Sequence, residues 1–158
     1  MKNLTFYVSA AAMLVFFGCG QSKQTDGAKT ERAADSVLST SCYLAVDKTD
    51  TASLSLNTLG NGKISGKLLI KFLDKGKNDG EVFGEFRGDT LFVDYTFKIG
   101  TTNETTYKNP LALLKKDGKL LMGVGQIETT LGRSYFVKGK PISFDKGRFG
   151  FAQVDCVK

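Results

Sequence analysis

The chain contains no histidine and no tryptophan, only two prolines, Pro110 and Pro141, and only three cysteines, Cys19, Cys42 and Cys156. Without histidine, the commonest general base near neutral pH and the commonest neutral metal ligand are missing. No Cys-x-x-Cys pair occurs, so redox dithiol and zinc chemistry lack their usual residues, and neither a metal nor a cofactor is expected. Any catalysis would rest on carboxylates, lysines, tyrosines or hydroxyls. Blocks of like charge are also missing. Acidic and basic residues are interleaved, as in Asp74-Lys75 and Lys116-Asp117, so the formal charge of +6 reads as a solvated surface with some attraction for anionic headgroups or acidic glycans. No nucleic-acid partner is expected.

Long apolar runs are scarce as well. The one extended stretch, Leu4 to Phe17, is shorter than the about 20 residues a spanning helix requires, but it has the length of a signal-peptide core and follows the positive Lys2. Gly18-Cys19 comes next, and here the chain resembles a bacterial lipoprotein precursor, with Phe16 and Phe17 departing from the usual Leu and small residue. The resemblance implies cleavage before Cys19, acylation of its sulfur (palmitate among the acyl chains), and membrane attachment through that lipid. A plain secretory signal or an uncleaved anchor is the alternative. Gly20 lacks the acidic character of an inner-membrane retention signal, which implies the outer membrane, on its periplasmic or its surface side. Residues 1–18 are thus expected to be signal, and residues 19–41, polar and rich in Ser, Thr, Ala, Lys and Gln, a flexible tether.

Residues 42–158 are expected to form a single β domain. Glycine is in excess at 18 residues, and 12 Phe and 5 Tyr supply much of the apolar area. Leu54 and Leu56 alternate with polar residues. After Gly60-Asn61-Gly62 the period of two returns in Ile64, Gly66, Leu68, Ile70 and Phe72, the strongest hairpin signal in the chain. Asp74 to Gly80 reads as a polar turn. Val82, Gly84 and Phe86 then lead through Gly88-Asp89 to Leu91, Val93, Tyr95 and Phe97. Residues 100–109 read as a loop, 111–114 as the start of a strand, 119–129 as one strand, 134–138 as another, and 148–156 as the closing strand. Helical spacing does not persist and glycine interrupts it. The expected fold is therefore all-β, a single small antiparallel meander closing fully or partly into a lipocalin-like barrel, with a two-sheet β-sandwich as the alternative. Gly66, Gly84, Gly123 and Gly125 are expected to permit sharp coiling or bulges.

With Cys19 committed to lipid, Cys42 and Cys156 remain, 114 positions apart at the two ends of the body, in a compartment where disulfides persist. A bridge between them is expected to clip the first strand to the last. Cys42-Tyr43, the segment Gly88 to Leu91, Asp94 to Phe97 and Asp155-Cys156 together are similar to a group of Bacteroidetes lipoproteins; that likeness implies architecture and origin but no activity.

Candidate chemistry is thin. The carboxylate pairs Asp89 with Asp94 and Glu81 with Glu85 lack the contrasting surroundings that a hydrolase needs to separate two acidities. Asp74-x-Gly76-x-Asn78-Asp79-Gly80, with Glu85 at the twelfth position, has partial calcium-loop spacing, but Asp79 stands where glycine is required. Gly84-x-Phe86-x-Gly88 and Gly123-x-Gly125 are not phosphate loops, since no helical pattern follows. Phe92, Tyr107, Tyr135 and Phe136 are candidates to line a ligand cavity or contact patch. Ser36, Thr51 and Thr90 sit in Asp-Ser/Thr-apolar triplets that resemble Bacteroidetes O-glycosylation acceptors. The expectation is a noncatalytic envelope module that binds a small apolar molecule or an envelope protein. A structural or stress-related envelope protein is the alternative, and a carboxylate-based hydrolase is more distant.

Overall fold

The computed structural model describes residues 36–157. The lipidation site expected at Cys19, the signal at 1–18 and the tether up to residue 35 lie outside the described residues. The described strands are β1 (Val37–Asp47), β2 (Asp50–Leu59), β3 (Ile64–Phe72), β4 (Gly76–Arg87), β5 (Thr90–Ile99), β6 (Tyr107–Lys116), β7 (Lys119–Met122), β8 (Ile127–Thr130), β9 (Arg133–Phe136) and β10 (Gly150–Val154). Eight of them close one antiparallel barrel in the order β1, β10, β7, β6, β5, β4, β3, β2, while β8 and β9 form a separate hairpin. The sheet closes on itself, so the lipocalin-like barrel is the observed architecture and the two-sheet sandwich is not.

The alternation read from the sequence fixes which side chains enter the barrel. Pairing sets Leu54 opposite Tyr43 and Leu68, and Leu91 opposite Phe86 and Leu113. Leu54, Leu68, Leu91 and Leu113 belong with Val82, Leu120 and Phe151 to one contiguous buried cluster, Tyr43 packs against it, and Phe86 stays exposed at the end of β4. A barrel of eight strands is just wide enough for such side chains to fill it. The opposite faces carry Lys67, Lys71, Glu81, Thr96 and Lys98, all exposed except where they pair. That order, apolar within and polar without, is the reverse of an outer-membrane barrel and suits a body surrounded by water.

Three inward positions lack a side chain because none fits. A Cβ would stand 2.0 Å from the Ser55 carbonyl oxygen at Gly66, 2.1 Å from that of Thr96 at Gly80, and 1.9 Å from that of Phe92 at Gly84. Strand coiling at these points brings neighbouring backbones into the space a methyl group would need. Across from Gly80, the Tyr95 ring stacks on Phe97 at 4.5 Å between centroids, and its hydroxyl donates to the carbonyls of Leu68 and Asn78, both at 3.0 Å. Burial holds the phenol protonated far above its ordinary range, with Asp79 adding to the effect.

Closure depends on a short seam. β1 meets β10 only through Cys42 with Val154, Tyr43 with Gln153, and Leu44 with Ala152, and the disulfide between Cys42 and Cys156 lies at its end with a Cα separation of 5.2 Å. The expected clip between first and last strands is thus present. At the other end of the barrel Arg148 donates to Asp47 at 2.7 Å and Asp50 at 2.6 Å, and lies over the Phe72 and Phe149 rings.

Several boundaries differ from those expected. β1 begins at Val37, so residues 37–41 pair with β2 and belong to the barrel, moving the edge of the domain five residues towards the amino terminus. The turn expected over Asp74 to Gly80 ends at Lys75, and Gly76 to Gly80 is already strand. The strand expected over 119–129 breaks after Met122. Gly123 and Gly125 do not coil a barrel strand; they make room for Ile142, Phe144 and Phe136, which pack directly on their backbone.

Candidate functional site

The break after β7 sends the chain on an excursion, residues 123–149, before it returns as β10; Phe149, at its end, is already part of the core. Val124 and Ser143 bridge through paired backbone hydrogen bonds of 2.8 Å, which fold the excursion back on itself. Within it, Leu131-Gly132 turns β8 into β9 with both residues in the left-handed region. β9 lies against β6. This explains why Pro110 and Ala112, on the outer face of β6, are buried although they point away from the core.

Between the hairpin and the barrel wall runs an open groove of about 660 Å³, within the size range of small-molecule sites. Its floor is the outer face of β4, β5 and β6. Two rows of paired residues cross it, Glu85 with Phe92 and Ala112, and Phe83 with Asp94 and Pro110. The far wall is Ser134 to Lys138, with Lys140 and Ile142. Phe83 is 56% exposed and Tyr135 43%, so aromatic surface on both walls meets solvent across the groove. A second, smaller hollow of about 370 Å³ lies on the other side of Tyr135, sharing Asp94, Ser134 and Tyr135 with the first and adding Lys108 and Arg133.

The electrostatics are asymmetric. At one end Glu85 is held between Lys63, in direct contact, and Arg87 at 3.1 Å; these two cations, Lys63 the larger influence, keep its carboxyl below its ordinary range. Arg87 also lies over the Phe92 ring, 5.4 Å from its centroid. On the floor, Asp94 is neutralised by Lys108 at 2.7 Å. On the hairpin side Lys138 and Lys140 flank Gly139 on a turn closed by the bond from the Lys140 N–H to the Val137 carbonyl. Among the described residues neither has an ion-pair partner. Both carboxylates of the groove are therefore occupied, and two cations are not.

Of the four aromatics singled out in the sequence, Phe92, Tyr135 and Phe136 converge on this groove, while Tyr107 does not; it stacks on Phe97, 5.6 Å between centroids, near the barrel end. Sequence reasoning missed Phe83, Lys138 and Lys140. For Phe83 a signal existed: an aromatic stands where alternation calls for a polar residue between Glu81 and Glu85. The carboxylates considered for catalysis are scattered or engaged. Asp89 is exposed in the turn between β4 and β5, Asp94 and Glu85 are ion-paired, and Glu81 is exposed on the outer wall. In the calcium-like segment, Asp79 faces outward and pairs with Lys77 at 3.0 Å, while Asn78 lies on the alternate face of the strand. Among the described residues no group of three or more His, Cys, Asp or Glu can hold a metal ion. Ser36 is exposed just before β1; Thr51 and Thr90 are half-buried in β2 and β5.

Comparison with protein-family models, with curated proteins and with solved structures finds no match to this chain. What the chain itself defines is a small all-β domain, a closed eight-stranded antiparallel barrel carrying an accessory hairpin. Barrels of this kind are often used to bind small molecules.

Proposed function

We propose that this protein is a noncatalytic binding module of a bacterial cell envelope, of Bacteroidetes type, held at the outer membrane by lipid on Cys19 and capturing a small molecule in the groove outside its barrel. The observation that carries the binding reading is the groove itself: the exposed rings of Phe83, on the barrel wall, and Tyr135, on the accessory hairpin, line one cleft. Exposed aromatic surface concentrated in a concavity, with a few charged groups at its ends, is the usual composition of a ligand site. The interior of the barrel, where lipocalin-like proteins hold ligands, is the less favourable place because it is occupied by Leu54, Leu68, Leu91, Tyr95 and Phe151. Absence of catalysis is proposed because each groove carboxylate is bound to a cation and none is poised as a general acid or base.

Native mass measurement on the protein purified after export tests this. A small molecule should be retained by the wild type and lost from Phe83→Ser and Tyr135→Ser, both of which alter exposed side chains and leave the barrel folded. Retention undiminished by either change would move the site elsewhere and overturn the reading.

A further inference from the structure

Resting on the groove as the binding site, we infer that its ligand is an amphipathic organic anion, with a flat apolar body seated between Phe83, Phe92 and Tyr135 and an acidic head at Lys138 and Lys140. The apolar part follows from the exposed rings of Phe83 and Tyr135, with Phe92, one face of which Arg87 covers, between them in the lining. The sign of the head follows from the pairing pattern. Glu85 is already satisfied by Lys63 and Arg87, and Asp94 by Lys108, so a cationic ligand would have to displace an existing ion pair to find a partner. An anion displaces nothing. Lys138 and Lys140 stand two residues apart on one tight turn at the rim, unpaired among the described residues. An acid bound there gains charge-assisted hydrogen bonds from both lysines. Arg87, over the Phe92 ring, adds a further cation to the lining.

The matched probes naphthalene-2-sulfonate and naphthalene-2-sulfonamide, alike in their apolar body but charged and neutral in their heads, test this by ligand-observed NMR titration of the full exported protein. The sulfonate should bind about 3- to 10-fold more tightly at low salt, a preference of the size that two exposed cations supply. Changing Lys138→Gln and Lys140→Gln together should erase that preference and leave the sulfonamide unaffected, whereas Phe83→Ser should weaken both probes. Equal binding of the two probes, or a preference that survives loss of both lysines, overturns the anionic head while leaving the groove intact as the site. Binding of either probe that is indifferent to Phe83→Ser and Tyr135→Ser, or no binding at all, overturns the groove reading itself and the anion with it.

Discussion

Tyr95 and Asp50 show how single residues hold this barrel. The Tyr95 hydroxyl is buried and spends its proton on two backbone carbonyls from β3 and β4, so its removal costs hydrogen bonds without emptying the space the ring fills. Tyr95→Phe should lower stability by about 1–1.5 kcal/mol, seen as a lower denaturant midpoint at unchanged slope. Asp50 works through charge. Its carboxylate accepts from the Leu73 N–H, the larger influence, and from Arg148, and together they hold its pKa below the ordinary value of 3.8. A carboxyl whose pKa is depressed by folding stabilises the fold at all pH values above its unfolded pKa, and that contribution fades as pH falls through the lower folded value. Asp50→Asn keeps an acceptor for Leu73 but gives up the attraction for Arg148. The gap in melting temperature between wild type and variant should therefore be constant from neutral pH down to about 4 and close below that. A gap that widened on acidification would show the pairing to be unimportant.

At the scale of the element, the legible parts of the fold were those where a period of two ran uninterrupted. The strands carrying Leu54 and Leu56, Ile64 to Phe72, and Leu91 to Phe97 stand where alternation put them, because a register slip of one residue would turn every one of those side chains into water. The excursion over 123–149 was not legible as such. Gly123 and Gly125 look identical in sequence to Gly66 and Gly84, and only the structure shows that the first pair accepts side chains from Ile142 and Phe144 while the second accepts neighbouring backbone. The same ambiguity hid Lys138 and Lys140, whose role depends on where the turn at Gly139 lies against the barrel wall. Glycine substitutions separate these environments. Gly80→Ala drives a Cβ to 2.1 Å from the Thr96 oxygen and 2.6 Å from the Phe97 Cα, both backbone, and should cost more than about 3 kcal/mol by equilibrium unfolding. Gly76→Ala meets nothing within 4 Å and bears only the strain of its positive φ, so it should cost about 1–2 kcal/mol. Equal losses at the two positions would mean that β4 does not approach β5 as closely as described.

For the whole molecule, the central question is how a barrel closed by so short a seam stays closed. β1 and β10 share three residue pairs, whereas β1 and β2 pair along nearly their full length, so the seam is where opening begins. The Cys42–Cys156 bridge fastens that seam and spans 114 positions of the chain. Removing it with Cys42→Ser and Cys156→Ser together should cost about 2–5 kcal/mol, with hydrogen exchange rising first in β10 and the facing part of β1. Because Cys42 and Cys156 are bound to each other, replacing Cys19 leaves this bridge intact and separates attachment from folding. Cys19→Ala should abolish incorporation of labelled palmitate and release the protein from the membrane fraction, yet leave the melting temperature of the barrel unchanged. β1 starts at Val37 beside the turn at 60–63, and antiparallel succession puts the Gly88-Asp89 and Asp117-Gly118 turns at that same end. The cluster of Arg148, Asp47 and Asp50 stands at the opposite end. Undiminished labelling in Cys19→Ala would refute lipidation at this residue, and a fall in its melting temperature would refute the independence of anchor and fold.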